Sequence, residues 1–442
     1  MRGSTISSLF VFNPTLKPVT EHPTEDDYKS CKLIYYYPES APLFEQQTHV
    51  GLAEGMCMFV HQFSENPLES IHTEKHTHIL YQCEPNIWIC IVLNHGDSGS
   101  ETFVKQQDLE THPHVLKAIA EGFYKNFKLF HGLLSGFEYP AEYGRLRQLL
   151  ADYTRYFEEE QSKRTELFDG FFYCPLDRKS YMNVMYGLSQ ISFIYPEILH
   201  TMLIFEGNIV NTSMPQAGSL LIYSYLSRDK NWKRLIELKR ELNPNGCQYG
   251  RISEYPKKGF LYGKTGAGIH VPTVYLPEME PCKMIVWVQE SMQLVLLVRN
   301  KEVEEDEIEG YRKTMNELCP DIVKTISAQF QRTGPVEDTF KFLYFNSMNL
   351  AIKQSSKLNP IDDQLYRLML TISAQMRDST QKYDCLVKTI IRTHTAWVMA
   401  VKVLDSREIY FVLPPSTAPV NKIEEEVVKF ANGYFHNIFT GL

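Results

Sequence analysis

Apolar and polar positions along the chain repeat one order of elements three times. In the first region, apolar runs at residues 9–13 and 33–37, each followed by a proline, predict two strands. Apolar residues at spacings of three and four predict a helix over residues 46–63 with one buried face. Further strands and two long helices close this region, at residues 78–82, 87–93, 113–130 and 143–159.

The second and third regions follow the same order. For the second region we predict a strand, a helix, two hairpins and a helix with an acidic first turn, at residues 171–174, 178–193, 198–212, 284–298 and 304–331. For the third region we predict a strand, a helix, a three-stranded meander and a final helix, at residues 340–345, 364–376, 386–413 and 423–439. The repetition predicts an α+β protein of three tandem units, delimited as residues 1–162, 163–334 (with an irregular insert near 243–281) and 335–442.

Composition changes this picture little. The 442 residues are 43% apolar and 22% charged, with a net charge of −8. Such an acidic balance argues against nucleic acid as a partner, because neutralising phosphates is the main energy of that contact. Nine Cys residues without a CxxC pair favour a reducing compartment. The chain has no signal-peptide pattern and no apolar run long enough to span a bilayer, so we expect a cytoplasmic protein.

Candidate chemistry is sparse. The segment Gly259-Phe-Leu-Tyr-Gly263-Lys264-Thr265 resembles a phosphate-binding loop, but three residues separate its glycines where four are needed, which favours a plain loop. His76 and His78 share one strand face and could ligate a metal, but surface histidines at a strand entry are the commoner case. No nucleophile elbow is present. We therefore predict no covalent catalysis, no catalytic residue, no metal and no cofactor.

One segment is basic against the acidic background. Lys230, Trp232, Lys233 and Arg234 lie within it, followed by further lysines. A basic helix that carries an aromatic residue can bind an anionic or phosphoinositide membrane or an acidic accessory protein. The alternative is a solvated helix face, since two glutamates dilute the charge.

The stretch Phe-Lys-Phe-Leu-Tyr-Phe-Asn-Ser-Met-Asn-Leu-Ala at residues 340–351 resembles a signature of the Ccz-one (calcium–caffeine–zinc sensitivity) family. The similarity extends from about residue 8 to the end of the chain. Other stretches that resemble the family are at residues 12–14, 50–52, 72–73, 86–88, 167–172, 175–177, 249–251, 387–389, 397, 407–410 and 435–439.

The resemblance implies a fold and a function. It implies three tandem longin domains, each a five-stranded antiparallel sheet flanked by helices. It also implies a subunit of the Mon-one–Ccz-one heterodimer, a guanine-nucleotide exchange factor that promotes GDP release from a late-endosomal Rab GTPase of the Rab-seven type. A protein of this kind would act in endosome maturation and in autophagosome and lysosome fusion, on whose membranes it would be peripherally recruited, with a third regulatory subunit as a further partner. The alternative is a longin-domain trafficking adaptor without exchange activity.

Site residues follow from the same resemblance. In related longin pairs, the helix predicted at residues 46–63 and the strand after it contact the partner and the GTPase. Its apolar face, with Val50, Met56 and Phe63, is expected to face the core. The remaining positions give the predicted interface, namely Glu54, Met58, His61, Thr73 and Lys75.

Overall fold

The computed structural model describes most of the first two regions and part of the third. Described residues are 5–19, 21–64, 68–74, 76–94, 113–161, 170–227, 252–254, 258–263, 269–330, 341–346, 348–354, 369, 372, 387–392, 397–403, 407–413, 422 and 425. The chain divides into two compact units. One comprises Met1–Arg164, Asn183–Glu206 and Asn211–Val323, and the other comprises Thr165–Met182, Gly207–Val210 and Lys324–Leu442.

The first unit begins with a five-stranded antiparallel sheet. Its strands are β1 (Thr5–Phe12), β2 (Leu33–Tyr37), β3 (Ser70–His72), β4 (His76–Glu84) and β5 (Ile87–Asn94), in the spatial order β2–β1–β5–β4–β3. The hairpin between β4 and β5 turns at Asn86, whose φ of 64° is in the left-handed region that Asn tolerates. Four helices flank this sheet, namely α1 (Glu25–Cys31), α2 (Leu43–His61), α3 (Pro113–His131) and α4 (Tyr143–Gln161).

Alternating strand residues give this sheet two apolar faces. Leu9 and Val11 point to one face, where they pack with Phe123 and Phe127 of α3 and with α4. Phe10 and Phe12 point to the other face, where they pack with Val50 and Ala53 of α2. The sheet is therefore a central layer with helices on both sides.

A buried carboxylate fixes the connection after α3. Glu84, only 7% exposed, accepts hydrogen bonds from the Tyr124 hydroxyl at 2.8 Å and from the backbone N–H groups of Leu134 at 2.6 Å and Ser135 at 2.9 Å. Three donors compensate for the loss of water around the charge. Glu84 is thus explained by the fold and is not part of a functional site.

The second half of the first unit carries another antiparallel sheet. The strands β7 (Ile198–Phe205), β14 (Met292–Arg299), β13 (Cys282–Gln289) and β10 (Lys258–Phe260) lie side by side in that order. The short strand β12 (Thr273–Val274) also pairs with β13. This sheet joins the first half through α3, because the backbone N–H of Tyr275 donates to the Leu129 carbonyl at 2.8 Å. This half also contains α6 (Gln216–Ser227), β9 (Ile252–Glu254) and β11 (Tyr262–Gly263). Three further elements contain residues of both units, namely α5 (Arg178–Ile194), β8 (Asn208–Thr212) and α7 (Glu305–Phe330).

The second unit is built on a mixed sheet. Its strands are β6 (Phe171–Phe172), β15 (Lys341–Asn346), β16 (Ala351–Gln354), β17 (Val387–Arg392), β18 (Trp397–Val403) and β19 (Arg407–Leu413), in the order β17–β18–β19–β15–β16–β6. The strand predicted to begin the second region is therefore part of the sheet of the third region, because β6 pairs in parallel with β16. Gly170 allows this close approach, because a Cβ there would lie 2.4 Å from the Leu350 carbonyl oxygen.

The α+β class is confirmed, and most predicted elements agree with the structure to within a few residues. The sequence pattern missed α1, β3, β16 and the helix α6, as well as the short strands β9 to β12 in the stretch predicted to be irregular. Of the helices predicted at residues 364–376 and 423–439, only Met369, Ile372 and Glu425 are described, each in a helical conformation. The unit boundaries at residues 162 and 334 stay predictions. Within the described part of the chain, no helix combines the length and apolarity needed to cross a membrane.

Candidate functional site

Helix α2 packs on the sheet with a small inner face. Among its residues, all of which are described, only Val50 and Ala53 are fully buried. Half-buried Cys57 also packs against the same cluster. Small side chains let the helix lie close to the strands, but they bury little apolar area. The inner face alone therefore does not account for the hydrophobic residues of α2.

Large apolar side chains of α2 point into solvent instead. Phe44 is 80% exposed, Met58 is 64% exposed and Phe59 is 57% exposed. Leu52 on the same side is 42% exposed, and Phe63, just beyond the end of the helix, is 76% exposed. We call these five residues the outer face of α2. Exposed apolar residues grouped in this way mark interaction sites more often than singly scattered ones do.

Two glycines lie between these side chains. At 100° per residue, Gly51 and Gly55 fall on the solvent side of the helix, with Phe44 and Phe59 beside them. An ideal Cβ at either position would have open space around it, so the packing of this chain does not require glycine there. Each glycine inside a helix costs roughly 1 kcal/mol relative to Ala. A helix of another protein that packs on the outer face of α2 would explain both glycines. Its backbone could come close to that of α2, because glycine has no side chain there.

The expectation that Phe63 faces the core is wrong, because the helix ends at His61 and the Phe63 side chain beyond it is exposed. Met56 is half-buried, and only Val50 of the three named core residues is fully buried. Phe59, which has the same apolar spacing, is also exposed. Apolar residues are present on both sides of α2, so their spacing did not reveal which side meets the sheet. The signal that could have revealed the outer face is the pair Gly51 and Gly55.

Four of the predicted interface residues are described, and they differ in their surroundings. Met58 belongs to the outer face, and His61 is exposed at the last turn of α2. Glu54 is instead paired with Lys32, whose Nζ lies 2.6 Å from Oε1 and 2.9 Å from Oε2. Thr73 is exposed in the turn between β3 and β4, where its hydroxyl donates to the His76 carbonyl at 2.8 Å.

The other predicted site residues lie outside the described residues. These are Lys75 and the basic group Lys230, Trp232, Lys233 and Arg234. Their assignments as an interface residue and as a membrane or accessory-partner patch stay predictions.

Three histidines lie where α2 meets the sheet. The ring centroid of His78 is 6.0 Å from that of His49 and 6.4 Å from that of His76. His49 Nδ1 is 2.7 Å from the Tyr36 hydroxyl oxygen. Burial, together with the two neighbouring imidazoles, lowers the pKa of His78 to about 4, and burial also lowers the pKa of His49. At neutral pH His78 is therefore uncharged, so α2 packs on the sheet without burying a charge at this position.

The metal and nucleotide alternatives gain no support here. Across the part of the chain that the structure describes, no three His, Cys, Asp or Glu side chains are placed to hold a metal ion. Gly259 lies within β10, in the segment that resembled a phosphate-binding loop, whereas Lys264 and Thr265 lie outside the described residues.

Comparison with known proteins gives related results for both ends of the chain. A family model described as the first longin domain of INTU, CCZ1 and HPS4 matches residues 6–132. A second model, described as Intu longin-like domain 3, matches residues 336–429. The first match contains β1 except for its first residue and all of β2 to β5 and α2, so the outer face of α2 belongs to a longin domain.

Similar full-length proteins share one name. The chain is 22% identical over 427 residues to a vacuolar fusion protein CCZ1 homolog of Dictyostelium discoideum, covering 92% of this chain and 93% of the relative. It is 24% identical over 474 residues to the homolog of Tetraodon nigroviridis, covering 98% and 95%. It is 25% identical over 462 residues to that of Nematostella vectensis, covering 98% and 97%.

Proposed function

Because the chain belongs to the CCZ1 family of vacuolar fusion proteins, we propose that it acts in membrane trafficking as one subunit of a heteromeric guanine-nucleotide exchange factor. The other subunit is a Mon-one-type longin protein, and the substrate is a late-endosomal Rab GTPase of the Rab-seven type. The observation that carries the proposal is the outer face of α2, an exposed apolar helix face around two glycines.

The outer face of α2 supports pairing with a helix of the partner. Two helices pack at 8–10 Å, and closer where small residues let the backbones approach. Fully burying a Phe or Met side chain contributes about 1.5–3 kcal/mol. The five residues of the outer face can therefore supply much of the energy for a stable heterodimer. Phe44 and Phe59 at its two ends are the expected hot spots.

Exchange activity follows from binding and requires no covalent chemistry. A GTPase that holds its nucleotide at picomolar affinity has a binding free energy of about −16 kcal/mol, so spontaneous release is slow. An exchange factor accelerates release by binding the open switch conformation more tightly than the closed one. We place the GTPase on the surface that the two first longin domains form together, with Met58, His61 and Thr73 near it. Glu54 is a weaker candidate, because Lys32 already neutralises it.

Membrane recruitment is a separate part of the proposal. Lys230, Trp232, Lys233 and Arg234 are proposed to bind anionic lipid or an accessory subunit on late endosomes, lysosomes and autophagosomes. Co-sedimentation of the complex with phosphoinositide vesicles tests the lipid contact, with Lys230, Lys233 and Arg234 replaced by Gln and Trp232 replaced by Ser. A large loss of vesicle binding is expected if the patch binds lipid, and unchanged binding would leave only the accessory subunit as its partner.

The exchange assay separates this function from that of an adaptor. The chain is co-expressed with candidate longin partners, and release of fluorescent GDP is followed across a panel of Rab GTPases. We expect acceleration of one late-endosomal Rab by the complex and none by the chain alone. If a stable heterodimer accelerates release from no Rab, the chain is an adaptor, and the exchange proposal is wrong.

A further inference from the structure

A groove of about 680 Å³ runs along the edge of the first sheet that lies farthest from β3. Its floor is β2, and among the strands that the structure describes, none lies on the outer side of β2. One wall is the start of α2, with Leu43, Gln46 and Gln47, and the other wall is α4, with Arg147 and Gln148. An unpaired strand edge between two helices has the shape of a site for an extended peptide.

Arg147 donates hydrogen bonds to two backbone carbonyls at the unpaired edge of β2. Its Nε donates to the Ile34 carbonyl at 2.7 Å, and its Nη2 donates to the Leu33 carbonyl at 3.2 Å. Ile34 is also the extra residue of a bulge, since Val11 pairs with Tyr35 and Phe12 pairs with Leu33. Beyond the bulge, Tyr35, Tyr36 and Tyr37 continue the edge regularly. The backbone of a bound peptide would therefore pair with Tyr35 to Tyr37. Arg147, held beside Leu33 and Ile34, would contact the peptide next to that paired part.

The guanidinium of Arg147 has N–H donors that could bind an anion. Two of its five N–H donors hold the β2 carbonyls, which leaves three. No carboxylate among the described residues forms an ion pair with it, whereas Lys29, another cation of the groove, pairs with Glu25 at 2.7 Å. Carbonyl oxygens fix its position, so little side-chain entropy is lost when a carboxylate binds. Arg155 also lines the groove, but so do Asp152 and Glu39, so a single acidic group fits better than a strongly acidic segment.

We propose that this groove binds an extended peptide segment of another protein, added along β2, with one Asp or Glu side chain on Arg147. The groove lies across the sheet from β3 and does not use the outer face of α2, so it would be available in the assembled heterodimer. The five residues of β2 span about 17 Å, which sets a bound core of four to six residues. Apolar or β-branched residues are expected where the peptide passes Leu43, which is 59% exposed.

A peptide-display library of random twelve-residue segments tests this on the full chain. Selected sequences are expected to carry one Asp or Glu flanked by β-branched residues, and each is then made as a fluorescent peptide for anisotropy titration. Arg147→Gln should weaken binding at least tenfold. Replacing the peptide's acidic residue with its amide should weaken binding as much, and adding that change to Arg147→Gln should weaken it little further.

Controls keep the result interpretable. Gln148→Trp fills the groove from an exposed position without removing the Arg147 bonds, so it should also abolish binding while the melting temperature stays unchanged. Arg145→Gln, which removes an exposed cation of the same helix, and Phe59→Ser on the outer face of α2 should leave binding unchanged. Selection of no peptide, or peptides whose affinity is unaffected by both Arg147→Gln and Gln148→Trp, would overturn the proposal.

Discussion

The helices on the two sides of the first sheet differ in where their large apolar side chains point, which is toward the sheet on one side and toward solvent on the other. Helix α3 buries Phe123 and Phe127 against the strands, and α4 buries Leu146 and Leu150. Helix α2 covers the other side of the same sheet with small side chains and turns its largest ones outward. A layer that only stabilises the fold resembles α3 and α4. The inversion in α2 therefore indicates a layer that stabilises the fold weakly, and it leaves exposed the surface on which we propose that the partner binds.

The largest expected effect separates the stabilities of the two layers. Phe127→Ala leaves a cavity in the α3 side of the core and should lower the free energy of unfolding by about 3–5 kcal/mol. Phe59→Ala on α2 should change it by less than about 0.5 kcal/mol, because the ring already contacts solvent. Thermal unfolding of the isolated chain measures both. A loss above 2 kcal/mol for Phe59→Ala would show that the outer face is part of the core.

Acid should weaken the α2 side selectively. The pKa of His78 is about 4 in the folded chain and near 6.5 in the unfolded chain, so the folded state binds fewer protons between these values. Its contribution is complete above pH 6.5 and is lost as the pH falls towards 4, by about 3 kcal/mol. His49 and His76 face it, and Glu45 acts against the effect by raising the pKa of His49.

Hydrogen exchange of α2 and α4 from pH 7.5 to 4.5 tests this pH dependence. Exchange should accelerate in α2 before α4 once the intrinsic pH dependence is subtracted. His78→Phe should flatten the response, whereas His22→Gln, at an exposed histidine, should not. Parallel acceleration of both helices would contradict a local effect.

The two glycines of α2 should give effects of opposite sign. Gly51→Ala and Gly55→Ala should each raise the free energy of unfolding of the isolated chain by up to about 1 kcal/mol, because each added methyl has open space. Both changes should weaken binding of the longin partner, because the methyl keeps its helix away from the α2 backbone. Gly144→Ala at the start of α4, also with open space, is the matched control for partner binding. Unchanged partner affinity for both α2 variants would remove the close-approach argument.

The smallest effect concerns Glu54. The Lys32–Glu54 pair should contribute less than about 1 kcal/mol to stability, so Lys32→Met and Glu54→Gln should destabilise the chain similarly. If Glu54 also contacts the partner or the GTPase, only Glu54→Gln should slow GDP release by the complex. Equal exchange rates for the two variants would assign Glu54 to the ion pair alone.

The sequence predicted where helices and strands lie along the chain better than it predicted which residues contact each other in the folded protein. Apolar runs bounded by turn residues located β4, β5, β13 and β14, and the spacing of apolar residues located α3 and α4. The same spacing could not orient α2, because it has apolar residues on both faces. Pairing of β6 with β16 depends on contact between residues about 180 positions apart, which no local pattern records. The ion pair of Glu54 and the edge position of Arg147 are likewise products of tertiary structure.

The central claim is that the outer face of α2 binds the longin partner. Isothermal titration of the partner with the double variant Phe44→Ser/Phe59→Ser tests it directly, and Phe193→Ser on α5, at a residue 87% exposed, is the matched control. We predict that the double variant weakens the heterodimer at least a hundredfold with an unchanged melting temperature, and that the control binds normally. Normal partner affinity of the double variant would contradict the account.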